Sequence, residues 1–113
     1  MNVISRQQLQ ALLAADPKPI LVEALPERYY RDAHLPGALH LPHDQVEALA
    51  PSLLPDRTAP IVVYCANAQC QNSHIAAHRL RTLGYSNVGV YGAGKQDWTD
   101  AGLPLERGAA VAV

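Results

Sequence analysis

The sequence contains no phenylalanine, one tryptophan and one methionine. A core without Phe has to be built from Leu, Ile, Val and Ala. Cysteine is almost as scarce: Cys65 and Cys70 are the only two, five positions apart. That usage excludes the framework of a secreted disulfide-rich domain. In a reducing compartment such a pair points to redox, catalytic or metal chemistry. There is no surplus of positive charge. The formal net charge is -1, so no basic face is offered to a phosphate backbone and nucleic acid is not an expected partner. Long hydrophobic runs are absent too. The longest, such as residues 61–66 and 109–113, are far too short to cross a bilayer, and no membrane is expected. Met1 to Ser5 carries no charged stretch leading into an apolar one, so it does not read as a signal peptide. A cytoplasmic location is the expectation. With 113 residues there is room for one domain and one core.

What is present is an alternation of strands and helices. Val3-Ile4 reads as a short edge strand. Ser5 with Gln8 forms a capping box, and Leu9, Leu12 and Leu13 recur at helical spacing, giving a helix to about Ala15. Ile20 to Val22 is a short buried strand, residues 26–31 a helical turn, and residues 38–41 a third strand after the Pro36-Gly37 turn. Asp44 is placed to cap a helix bearing Val46, Leu49 and Leu53. Ile61 to Tyr64 is apolar on both faces, as a strand inside a covered sheet must be. A helix from near Ser73 shows an Ala76, Leu80, Leu83 stripe and Gly84 as its C-cap. Residues 88–91 form a fifth strand, and Gly92-Ala93-Gly94 leads into a last short helix holding Trp98. This pattern predicts an α/β three-layer domain with a mostly parallel five-stranded sheet. Ligands of such sheets bind beyond the carboxyl ends of the strands, where Cys65 stands.

A thiol works as a nucleophile in its thiolate form. Cys65 precedes a loop of Ala66, Asn67, Ala68, Gln69, Cys70 and Gln71 that feeds a helix N-terminus. Amides curled around the sulfur and the helix dipole would lower the thiol pKa and stabilise a persulfide. A buried structural cysteine is the competing reading, and the loop by itself leaves both open.

The chain resembles a rhodanese domain from Ile4 to about Glu106. The resemblance rests on Ile20-Leu21-Val22-Glu23, Tyr30 through His34-Leu35-Pro36-Gly37-Ala38, and Val62-Val63-Tyr64-Cys65. It continues in Ser73 with Ala76-Ala77 and Leu80, Gly84-Tyr85-Ser86-Asn87-Val88, Gly92-Ala93-Gly94, and Asp97-Trp98 with Ala101-Gly102-Leu103-Pro104. It implies a rhodanese-like domain over residues 1–106 with a C-terminal tail, 107–113. It further implies a sulfurtransferase in which Cys65 takes a sulfane sulfur from a small-molecule donor and passes it, as a persulfide, to a thiol or similar acceptor. No cofactor and no metal are implied.

Three departures from the family pattern bear on chemistry. The position where the family carries Arg or Lys is Cys70, the loop is about two residues longer than usual, and the common Asp-x-Arg reads Glu23-Ala24-Leu25. Without a loop cation, thiosulfate is expected to be a poor donor. Lys95, after the fifth strand, is a possible substrate-binding cation, against the reading of a solvated lysine. Cys70 is a possible resolving thiol, so a redox-active or regulatory rhodanese-like domain is the alternative function. Cys65, Cys70, His74 and His78 have zinc-like spacing, but strand and helix positions are not expected to converge. A phosphatase reading lacks its loop Arg. His34 is expected to hold a turn, Glu23 to anchor the sheet top or the loop, and Trp98 to pack its helix. His40 and His43 are expected at the sheet edge.

Overall fold

The computed structural model describes residues 2–108. Five strands, β1 (Asn2–Ile4), β2 (Ile20–Glu23), β3 (Leu39–His40), β4 (Ile61–Tyr64) and β5 (Val88–Tyr91), form one sheet in the order β1-β5-β4-β2-β3. Every pairing in it is parallel. Helices α1 (Arg6–Leu13), α2 (Glu27–Asp32), α3 (Val46–Leu53), α4 (Asn72–Thr82) and α5 (Gly94–Asp100) alternate with the strands. The apolar run 109–113 lies outside the described residues.

The pleat divides the core. Along β4, Ile61 and Val63 face α3 and α4 in a cluster with Val46, Ala50, Ala76, Ala77 and Leu80. Val62 and Tyr64 face the opposite layer with Leu9, Leu35, Tyr91 and Trp98. A strand so covered must be apolar at every position, and all four residues of β4 are buried. The bulk that Phe would have supplied comes from Tyr64, Tyr85 and Tyr91. Tyr85, for example, donates its hydroxyl proton to the Leu54 carbonyl at 2.6 Å.

Local signals set most of the boundaries. Ser5 and Gln8 make the reciprocal capping box at the start of α1. Helix α4 ends in a Schellman motif: Tyr85 N–H reaches Leu80 O at 3.1 Å, and Gly84 N–H reaches Arg81 O at 3.0 Å with Gly84 at φ +97°. Because open space surrounds a Cβ there apart from the Arg57 side chain at 3.6 Å, Gly84→Ala should cost only the left-handed backbone penalty. That is about 1–2 kcal/mol, read as a shift of the urea midpoint. Three expectations need correction. Helix α1 stops at Leu13, because Ala14 already carries its C-cap geometry. The third strand is confined to Leu39–His40. Asp44 does not cap α3; Gln45 holds the N-cap position and makes no side-chain cap bond.

Neighbouring strands β2 and β4 send the chain to opposite faces. Helix α2 follows β2 on the α5 side, where Lys95 bonds the Tyr29 and Ala33 carbonyls, while α4 follows β4 on the other side. The crevice beyond their carboxyl ends is the switch point at which open parallel sheets bind ligands.

Candidate active site

Cys65 is the first residue beyond β4, and its side chain is buried in that crevice. The peptide that follows it is held from below by α5. Lys95 N–H donates to Cys65 O at 2.9 Å and Gln96 N–H to Ala66 O at 2.8 Å. This approach requires Gly94. At φ +72°, a Cβ there would lie 2.7 Å from Cys65 O and 2.8 Å from Asn67 N, both backbone atoms that cannot step aside.

The loop itself is shaped by Asn67. Its Oδ1 accepts the N–H groups of Gln69 and Cys70, each at 3.1 Å, the side-chain turn that Asn favours. Two of the amides expected to line the sulfur are thereby turned away from it. What faces Cys65 Sγ is the Cys70 carbonyl, 3.3 Å away, and the Ser73 hydroxyl, also at 3.3 Å. The single thiol proton goes to the carbonyl, which leaves the Ser73 O–H as a donor to sulfur. The outcome corrects the expected low thiol pKa. Burial pushes the Cys65 thiol above its ordinary value, and the Cys70 side chain adds to this; the Ser73 hydroxyl and N–H pull it back only in part. Gln71, the N-cap of α4, makes no side-chain bond to the helix start. The first turn therefore keeps donors for an anion on Cys65.

Glu23 and Lys95, read separately in the sequence, meet beneath the loop. Glu23 ends β2, is fully buried, and its Oε1 is 2.8 Å from Lys95 Nζ. Lys95 also donates to Tyr29 O at 3.1 Å and Ala33 O at 2.6 Å. An ammonium has three donors, and all three are used, so Lys95 offers no free charge to a substrate. Burial raises the Glu23 carboxyl above its ordinary pKa, opposed chiefly by Lys95. Its Oε2 has no partner.

The remaining candidates are structural. His34 Nδ1 lies 2.8 Å from Tyr30 O and its ring stacks on Tyr30 at 3.8 Å. Trp98 Nε1 donates to Pro104 O at 2.8 Å, fastening α5. His40 and His43 line a hollow at the β3 end of the sheet with Pro26 and Pro42. Among the described residues no three His, Cys, Asp or Glu side chains are gathered as metal ligands; Cys65, Cys70, His74 and His78 do not converge, as His78 lies on the exposed face of α4. The sequence places Asn67 in the active-site loop and Ser73 and Gly94 in the family pattern, but it assigns none of the three the contact it makes here. The Asn two residues before Gln69 was a readable turn signal; the Ser73 contact was not.

Comparison with known proteins bears on the family and the fold. The sequence model of the Rhodanese-like domain family matches residues 5–101. The HTH-type transcriptional regulator Rv0324 of Mycobacterium tuberculosis is 34% identical over 91 residues, which are 80% of this chain and 39% of that protein. Thiosulfate sulfurtransferase from Pseudomonas aeruginosa superposes with a TM-score of 0.83 at 30% identity, over 96% of this chain and 20% of that one. The chain thus spans well under half the length of either. The human single-domain sulfurtransferase TSTD1 shares the fold, with a TM-score of 0.76 at 20% identity over 88% of this chain and 96% of that one. No helix among the described residues is long and apolar enough to cross a membrane. With the family match covering most of its length, the chain belongs to the rhodanese-like domain family.

Proposed function

We propose that this domain is a sulfurtransferase that carries sulfur as a persulfide on Cys65. The observation that supports this most is the placement of Cys65 Sγ. It is buried at the switch point, on the end of the central strand, 3.3 Å from the Ser73 hydroxyl and next to the uncapped start of α4. A rigid element aims the nucleophile, and the donors around it compensate charge on the sulfur.

In the first step the Cys65 thiolate attacks the sulfane sulfur of a donor. The donor's S–S bond breaks, its remaining part leaves with the electron pair, and Cys65–S–S⁻ is formed. In the second step an acceptor thiolate attacks the outer sulfur and Cys65 leaves as thiolate. Both steps need free thiols, which a reducing compartment such as the cytoplasm supplies. Small-molecule donors and thiol acceptors suffice as partners.

The donor is expected to be an uncharged or singly charged organic persulfide rather than thiosulfate. Residues 66–72 contain no cation, and Lys95 is already neutralised by Glu23. A dianion approaching a thiolate without a cation is disfavoured by one to a few kcal/mol, so thiosulfate should load at least about tenfold more slowly. Intact mass after incubation with each donor tests both points. A gain of one sulfur atom in the first turnover, lost on adding reductant and reached faster with an organic persulfide than with thiosulfate, is the expected result. Protein that neither gains sulfur nor releases sulfide with either donor contradicts the function, and equal rates contradict the donor preference.

A further inference from the structure

Cys70 sits at the position where a basic residue was expected, and it is not free to wander. The Asn67 turn holds its N–H from two sides, through Asn67 Oδ1 at 3.1 Å and Asn67 O at 3.2 Å. That fixes residue 70 with its carbonyl against Cys65 Sγ at 3.3 Å. Covalent geometry places a Cα about 2.4 Å from its own carbonyl oxygen. The Cα of Cys70 is therefore within about 6 Å of the Cys65 sulfur, and a cysteine sulfur reaches about 2.8 Å from its own Cα, so a Cys70 side chain turned toward Cys65 brings the two sulfurs near bonding distance with a small shift of the loop. Both thiols are free, and Cys70 is half-buried while Cys65 is buried. Asn67 supplies the constraint that no strand or helix gives residue 70.

We propose that Cys70 is the resolving thiol that discharges the Cys65 persulfide, which makes the domain a source of sulfide as well as a sulfur carrier. This rests on sulfur loading at Cys65. The Cys70 thiolate attacks Cys65 Sγ, the bond from Sγ to the outer sulfur breaks, and the outer sulfur leaves with that electron pair. The proton Cys70 lost is taken up by the leaving sulfur, so the product is HS⁻ and the balance is Cys65–S–S⁻ plus Cys70–SH giving Cys65–S–S–Cys70 plus HS⁻. The sulfane sulfur is reduced and the two cysteine sulfurs become a disulfide. A dithiol reductant, oxidised to its own disulfide, returns both thiols. The short reach makes this step intramolecular, so it proceeds ahead of bimolecular attack by dilute acceptors. The effect of the Cys70 side chain on the Cys65 thiol agrees with two sulfurs held side by side.

The test uses the reduced, desalted full chain and less than one equivalent of an organic persulfide, with no thiol added beyond the one the donor releases on loading. Released sulfide is measured together with intact and peptide masses. Wild type is expected to release sulfide in proportion to the donor consumed, to lose two hydrogens, and to yield a peptide cross-linked between Cys65 and Cys70. Cys70→Ser is expected to hold the sulfur as a lasting persulfide and to release no sulfide. Wild type that keeps its sulfur, with no cross-linked peptide, overturns this inference and leaves loading at Cys65 standing. Protein that neither gains sulfur nor releases sulfide overturns both. The wild-type measurement decides the matter even if the serine variant folds poorly.

Discussion

Cys65→Ser is expected to abolish sulfur loading and leave the fold intact. The side chain is buried, but its environment is polar: a hydroxyl at this position keeps an acceptor in the Cys70 carbonyl and a partner in the Ser73 hydroxyl. Serine is smaller than cysteine and creates no clash, so the stability change should stay within about 1 kcal/mol. Nucleophilicity is what disappears, because an unactivated alcohol does not attack a sulfane sulfur at neutral pH. Urea unfolding with a near-wild-type midpoint, together with no mass gain from polysulfide, is the expected pair of results. Residual loading in the serine variant would place the nucleophile elsewhere. The same surroundings set the pH dependence. The Cys65 thiol lies above its ordinary value, first because it is buried and then because of Cys70. Loading should accelerate with rising pH through and beyond the ordinary thiol range. Ser73→Ala, which removes a donor to the thiolate, should move that rise to still higher pH. A rate already flat at neutral pH is the contrary result.

Lys95→Met is the second large effect, and it falls on stability. The substitution keeps most of the side-chain volume and deletes the ammonium, leaving the fully buried Glu23 carboxylate with no counter-charge. Breaking a buried pair on one side costs about 3 kcal/mol or more. The Tyr29 and Ala33 carbonyls lose their donor as well, which loosens α2 from α5. The sign with pH follows from Glu23. Its folded pKa is raised by burial despite Lys95, so protonation favours the fold. That contribution is full below the unfolded carboxylate range and is lost as pH rises through the folded value. Without Lys95 the folded value rises further. The variant should therefore be far less stable than wild type near neutral pH and recover much of the difference near the unfolded carboxylate value. Glu23→Gln should cost less, since Lys95 keeps its two carbonyl acceptors and partial access to water. Urea titrations at the two pH values decide it, and a deficit independent of pH would show that the loss is one of packing alone.

The parts of this molecule that were legible in the sequence are those fixed by neighbours in the chain. Ser5 and Gln8 lie three apart and cap α1; Gly84 ends α4 because only a left-handed residue closes that turn. The unbroken apolarity of β4 gave its place at the centre of the sheet, and with it the position of Cys65. Competition between partners was harder to see. The loop amides were expected at the sulfur, but Asn67 Oδ1 is a closer and stronger acceptor for two of them. Lys95 looked like a free cation because its partner, Glu23, is 72 residues away in sequence. Such pairings form only when the sheet brings β2 and the start of α5 together. Asp44 failed as a cap for a local reason, since the helix begins one residue later than the cap preference suggested.

The most direct test of Cys65 as the sulfur carrier is the location of the transferred atom. Reduced wild-type protein is mixed with polysulfide, quenched with an alkylating reagent within the first turnover, digested and mapped by mass. Because Cys65 and Cys70 share one peptide between Arg57 and Arg79, the position is read from its fragment ions, and the expected result is the added sulfur on Cys65, at the sulfur beside Ser73. Sulfur found first on Cys70, with Cys65 alkylated as an unmodified thiol, would contradict the assignment of the nucleophile.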